Sequence, residues 1–223
     1  MNIVKRWQRL RDELPDGVRL VAVSKREPVE AIETLYRAGQ RAFGENRARE
    51  LAEKHDALPE DIEWHMIGHL QSNKVRLVAP FVTLIHGVDS LHLLEAIDGE
   101  GARVGRVIPC LLQFHVAEEE SKFGLDPAGA RALLESGSYA NMRHARLDGV
   151  MGMATFTPNE GQVRAEFARL RELFGWLKGE FFAGEESFKE LSMGMSGDYP
   201  LAVEAGSTLV RVGSALFRPG DEG

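Results

Sequence analysis

Eight times along this chain a nearly continuous apolar run gives way to a stretch of helical periodicity, and no Pro-, Gly- or Ser-rich linker breaks the series. Runs of Val, Ile and Leu without polar alternation mark strands buried on both faces, the situation of a parallel sheet covered by helices. The strand-like runs fall near residues 18–25, 41–46, 62–69, 82–88, 107–116, 147–153, 190–195 and 208–212. Helices are predicted near 2–14, 28–39 and 47–56, from Ser72, after the cap Asp89-Ser90, after Asp126-Pro127, from about Asn159, and after Asp198-Tyr199-Pro200. Strict alternation of strand and helix implies a parallel sheet. Two closures are open to it: a wide doubly wound sheet, or a (β/α)8 barrel. Eight strands are the barrel's count, and 223 residues fall in its lower size range. The expectation is a single (β/α)8 TIM barrel domain spanning 1–223, with a leading helix within 1–14.

Several function classes drop out on composition. The net charge is −7 with no long basic run, so the clustered cations that neutralise nucleic-acid phosphates are missing. No apolar stretch approaches the roughly 20 residues of a membrane span, and residues 1–10 lack the apolar core of a secretory signal. The one cysteine, Cys110, sits in an apolar strand-like run and reads as a buried, inert thiol. A cytoplasmic protein is expected, and a barrel this small is expected to be a monomer.

The first strand-like run ends in Lys25. Open and closed α/β folds both place their chemistry at the C-terminal ends of strands. An amine held there beside apolar walls can lose its proton and attack an aldehyde; a solvated lysine closing a strand is the alternative. If the ring closes, Lys25 lies next to the loops after strands seven and eight, which read Ser192-Met193-Gly194-Met195-Ser196-Gly197-Asp198 and Arg211-Val212-Gly213-Ser214-Ala215. Such loops commonly build the phosphate site of these barrels. Glycine lets the backbone approach an anion, and Ser196 and Ser214 add hydroxyl donors, although plain turn chemistry also favours Gly and Ser. Lysine plus phosphate site suggests pyridoxal 5'-phosphate (PLP), with the aldehyde on the amine as a Schiff base. Alternation with Val210 and Val212 turns Arg211 inward, where a pyridine nitrogen could use its donor; an ion pair inside the barrel is the alternative.

The motifs Ala22-Val23-Ser24-Lys25, Phe43-Gly44-Glu45-Asn46, the run from Trp64 to Lys74, Val88-Asp89-Ser90, Glu119-Glu120-Ser121-Lys122, Gly152-Met153-Ala154-Thr155, Leu191 to Ser196 and Gly206-Ser207-Thr208 follow one another in order over most of the chain. In these the chain resembles the pyridoxal phosphate homeostasis protein family. The resemblance implies the barrel of the alanine racemase N-terminal domain, binding of PLP, and a role in holding or handing on the cofactor without turnover. It implies a Schiff base on Lys25, Arg211 facing the pyridine nitrogen, Ser196, Gly213 and Ser214 on the phosphate, and Asn46 near the ring. It also implies PLP-dependent apo-enzymes as partners. The chain departs from the family at Gln113-Phe114-His115, at Gly213-Ser214 where threonine is common, and at Phe123-Gly124.

The rival reading is an amino-acid racemase or decarboxylase of the same barrel type. Such enzymes add a second domain and, in racemases, a tyrosine base, whereas this chain stops soon after strand eight. Of its tyrosines, Tyr36 and Tyr139 are predicted away from the barrel mouth and only Tyr199 near it. A phosphosugar barrel enzyme is a third reading. No catalytic residue and no metal site is assigned. His65 and His69, four apart, read as a polar cluster at the mouth, because Met66 stands where a zinc-protease motif needs glutamate. Lys74 and Glu118 to Glu120 read as solvated, and Phe181 to Phe188 as packing over the barrel rim.

Overall fold

A computed structural model describes residues 2–118 and 123–218. Eight parallel strands close into one barrel in the order of the chain: β1 (Arg19–Val23), β2 (Ala42–Glu45), β3 (Glu63–Met66), β4 (Leu84–Val88), β5 (Ile108–Gln113), β6 (Ala145–Met151), β7 (Glu190–Ser192) and β8 (Leu209–Val212). The helices around it are α1 (Ile3–Glu13), α2 (Val29–Ala38), α3 (Ala48–Ala57), α4 (Leu91–Val104), α5 (Pro127–Leu134), α6 (Gly137–Asn141), α7 (Glu160–Glu180), α8 (Tyr199–Glu204) and α9 (Ser214–Phe217), and a 3-10 helix covers Ser72–Leu77. The ring is sealed by β8 pairing with β1, with Val21 opposite Arg211 and Ala22 opposite Val212.

The expected starts and stops rest on identifiable caps. Ser90 accepts the N–H of Leu93 at the head of α4, and Asp126 accepts that of Gly129 at the head of α5. Gly39 ends α2 in the left-handed region at φ 114°, which glycine enters without a Cβ penalty. The leading helix is anchored by Trp7, whose indole N–H donates to Gln40 (2.8 Å). The Gln40 amide in turn donates to the carbonyls of Leu20 and Ala42, tying α1 to β1 and β2.

Alternation along the strands separates two cores. Leu20, Ala22, Phe43, Trp64, Met66, Ile85, Leu112, Val150, Leu191 and Val210 face outward into the layer beneath the helices. Val21, Ala42, Leu84, Leu111, Met151 and Leu209 fill the barrel itself, so the ring is a packed core and not a pore. At roughly 1.5–3 kcal/mol for each fully buried Leu, Ile, Val or Phe, the outer layer supplies most of the drive to fold.

Several strands are shorter than their apolar runs suggested. The first ends at Val23, so Lys25 stands in a solvent-exposed turn two residues beyond the strand end. The seventh ends at Ser192, leaving Met193 to Met195 in the loop. Apolar runs continue past the last ladder bond because the barrel mouth is also lined with apolar side chains. The helices α6 and α9, too short for a periodic signal, were not expected. Phe181 to Phe188 pack as foreseen, with Phe182 stacked on Phe188 (4.0 Å) and Phe188 on Phe174 (5.4 Å). Cys110 is buried, and burial raises its thiol well above the usual range. Glu119 and Glu120 lie outside the described residues.

Candidate functional site

At the C-terminal mouth of the barrel lies a cavity of about 640 Å³, within the ~300–1,000 Å³ of small-molecule sites. All six residues singled out in the sequence line it: Lys25 and Asn46 from the turns after β1 and β2, Ser196 from the loop after β7, and Arg211, Gly213 and Ser214 from β8 and its end. Residues almost two hundred positions apart meet there because β8 closes on β1. Apolar walls come from Val23, Ile67, Met153 and Met195.

On one side the loops after β7 and β8 interlock. Ser196 Oγ accepts the backbone N–H groups of Gly213 (3.2 Å) and Ala215 (3.3 Å). Gly194 opens the first of these loops at φ 96°, and a Cβ there would stand 2.6 Å from that of Ala202. Its carbonyl accepts the N–H of Arg211 (2.9 Å), which fixes the loop to the strand. The result is a run of small residues whose Ser196 and Ser214 hydroxyls can donate to an anion.

Across the mouth, Asn46 follows the Gly44-Glu45 end of β2. A Cβ on Gly68 would lie 2.5 Å from the Asn46 carbonyl, so only glycine lets the loop after β3 press against it.

Arg211 forms the floor. It is buried, and its guanidinium donates to Ser192 Oγ (2.5 Å) and to the Gly152 carbonyl (3.0 Å), both neutral acceptors. Burial lowers its pKa to about 10, still cationic at neutral pH. These two bonds are not ion pairs, while the Asp198 carboxylate at the same mouth acts against burial to keep the guanidinium charged. Behind it, Ser192 Oγ meets His86 Nδ1 (2.9 Å), and His86 Nε2 meets His65 Nδ1 (2.8 Å). Burial depresses His65 to about 3 and His86 well below its usual value, so both imidazoles are neutral. A guanidinium only donates, so one consistent direction runs from Arg211 through Ser192 and His86 to His65. Sequence reasoning missed this relay. Its only trace was that His86 and Ser192 alternate with outward apolar neighbours.

His65 and His69 do not form one cluster. His65 is inside the barrel, whereas His69 lines the cavity, stacked on Phe123 (4.2 Å) and 3.3 Å from Asp89. Thr155, also in the lining, is held by Glu166, which accepts both its N–H (2.6 Å) and its hydroxyl (2.7 Å). Tyr199 points away, its hydroxyl donating to Glu13 (2.6 Å).

A buried arginine, an amine on the rim and loops of small hydroxyl-bearing residues define a barrel with a small-molecule site at its mouth. Comparison with known proteins gives this class a family. The sequence profile of the alanine racemase N-terminal domain matches residues 1–219. The pyridoxal phosphate homeostasis protein of Aquifex aeolicus is 36% identical over 200 residues, 89% of this chain and 86% of that protein. PipY of Synechococcus elongatus, solved with PLP bound, is 39% identical with a TM-score of 0.87, covering 97% of this chain and all of that one. An alanine racemase from Streptomyces coelicolor, 18% identical with a TM-score of 0.79 over 96% of this chain and 57% of its own, shares the fold. The chain belongs to the alanine racemase N-terminal domain family, among relatives named pyridoxal phosphate homeostasis proteins. Among the described residues no helix is long and apolar enough to cross a membrane.

Proposed function

We propose that this protein holds pyridoxal 5'-phosphate reversibly as a Schiff base at Lys25 and serves the homeostasis of that cofactor without turnover of its own. The observation that carries this reading is the meeting of Lys25, Arg211 and the Ser196–Gly213–Ser214 cradle in one cavity, in a chain whose relative PipY was solved with PLP bound. The residues fit the group: a donor-lined cradle for a phosphate, an amine for an aldehyde, and a buried guanidinium for a ring nitrogen. When bound, the cofactor supplies an aldehyde that condenses with the Lys25 amine, releasing water.

The role of each residue follows from its chemistry. Ser196, Gly213 and Ser214 would grip the phosphate, Asn46 the ring edge. Arg211 would donate to the ring nitrogen and keep its own proton, leaving that nitrogen unprotonated. A ring so held is a weaker electron sink than one whose nitrogen faces a carboxylate. Racemisation needs an acid–base group on each face of a substrate. Among the described residues no tyrosine lines the cavity, and Tyr199 is engaged with Glu13. This reading includes a cytoplasmic monomer that hands cofactor to PLP-dependent apo-enzymes.

The test is borohydride trapping followed by peptide mass spectrometry. Protein incubated with PLP should show a visible absorbance band that borohydride abolishes, with the reduced adduct on the peptide carrying Lys25. Adduct on another lysine would refute the assignment. Enzyme-like racemisation of L-amino acids, read by chiral chromatography, would refute the carrier role.

A further inference from the structure

The turn that carries Lys25 is gripped from behind by three side chains that do not line the cavity. Ser24 donates its N–H to the Gly44 carbonyl (3.0 Å) and its hydroxyl to Glu45 Oε1 (2.6 Å). Lys54, buried on α3, donates to the Ser24 carbonyl (2.7 Å), to Glu45 Oε1 (2.8 Å) and to Glu50 Oε1 (2.8 Å). That same Glu50 oxygen accepts the N–H of Arg26 (2.6 Å). The backbone carbonyl before Lys25 and the backbone N–H after it thus end on one ammonium–carboxylate pair, its ammonium buried and its carboxylate partly exposed.

Two further facts point the same way. Arg26 has φ 65°, and among the described residues it is the one non-glycine with positive φ. A left-handed arginine persists only where its surroundings over-determine it, and here the Glu50 bond does so. Lys54 also spends all three N–H donors on acceptors, so it is a strut and not a second amine for the cavity. A mobile turn would let the four-carbon stem of Lys25 sample solvent. A fixed turn confines it to the cavity side, and small errors in aim cost reaction rate steeply.

We propose that Glu50 and Lys54, backed by Glu45, are positioning residues for Lys25, holding residues 24–26 so that its amine is aimed into the cavity. The proposal rests on the reading of Lys25 as the cofactor-binding amine.

The variants are Glu50→Ala, Lys54→Met and Lys54→Arg, each compared with wild type in two experiments. In the first, on protein free of PLP, amide hydrogen exchange at Arg26 should be slow in wild type and at least about tenfold faster in Glu50→Ala. In the second, PLP is mixed with the protein and the reducible adduct is followed by absorbance, then mapped by peptide. Glu50→Ala and Lys54→Met, at temperatures where circular dichroism matches wild type, should form the Lys25 adduct about tenfold or more slowly. Lys54→Arg should recover most of the rate. A merely structural network would lower the unfolding temperature and free the Arg26 N–H to exchange, yet leave the rate of Lys25 adduct formation alone. Should Lys54→Met fail to fold, Glu50→Ala carries the test, since its carboxylate is partly exposed. Wild-type adduct at Lys25 with unchanged kinetics in the folded variants overturns this proposal alone. Wild-type adduct at another lysine overturns the cofactor reading and this proposal together.

Discussion

The two sides of the cavity are held together differently. The Lys25 side is held from behind by buried charge, the pair of Lys54 with Glu45 and Glu50. The side after β7 and β8 is held by backbone N–H groups, those of Gly213 and Ala215 converging on Ser196 and that of Met195 on Asp198. The contrast follows from what each must do. A long flexible side chain needs direction, which rigid partners behind its backbone can give. An anion needs close approach by many N–H donors, which small residues allow and charged ones would crowd. Directional control therefore sits beneath the amine, and permissive space sits around the anion.

The largest effect should come from removing the amine itself. Lys25→Ala should abolish the reducible adduct while changing stability by no more than about 0.5 kcal/mol, because the side chain is exposed; absorbance and thermal unfolding check the two halves. Arg211→Glu comes next. It replaces a donor to the ring by an acid, leaves the Gly152 carbonyl without this donor and leaves Ser192 Oγ with His86. At about 1.5–3 kcal/mol for a charge-assisted hydrogen bond, PLP should bind at least tenfold more weakly, with a shifted absorbance maximum. An unchanged spectrum would mean that Arg211 does not meet the ring. Ser196→Ala should weaken binding about three- to tenfold, worth about 0.5–1.5 kcal/mol, since the freed N–H groups of Gly213 and Ala215 remain to bind phosphate. A loss equal to that of Lys25→Ala would erase the contrast between the two sides.

The smallest effect concerns acid stability. Burial alone would raise the Glu166 carboxyl, but hydrogen bonds from Thr155, Gln162 and the Glu118 N–H hold it below its usual 4.5. The folded state then binds fewer protons than the unfolded chain. Its contribution is complete above pH 4.5 and is lost as pH falls through the depressed value. Glu166→Gln should flatten the acid limb of a urea-unfolding series without altering adduct formation at neutral pH. A steep acid limb in that variant would assign it to other carboxylates.

The fold was legible because apolar periodicity reports burial residue by residue. The run at 82–88 could only be a strand covered on both sides, and β4 lies there. The candidate residues were legible where a motif gathered them, as in Ser192 to Ser196 and Gly213-Ser214. What was not legible depended on partners far along the chain. Nothing adjacent to Lys54 announces that it holds the Ser24 carbonyl thirty positions away. The pairing of His65 with His86, and of His86 with Ser192, needs the barrel to close. Tyr199 is a neighbour of the mouth by position, yet its hydroxyl is engaged by Glu13 at the end of α1.

The order of strands and helices, their parallel sense and the small-residue character of the loops after β7 and β8 were determined by the sequence alone, because each depends on local hydrophobicity and local backbone freedom; closure of the ring needed β8 to meet β1. Which polar groups share a cavity, which are struts and which direction the Lys25 turn faces were decided by the tertiary structure. Those outcomes are set by hydrogen bonds between residues that only the closed ring brings together, and no local pattern encodes the far partner.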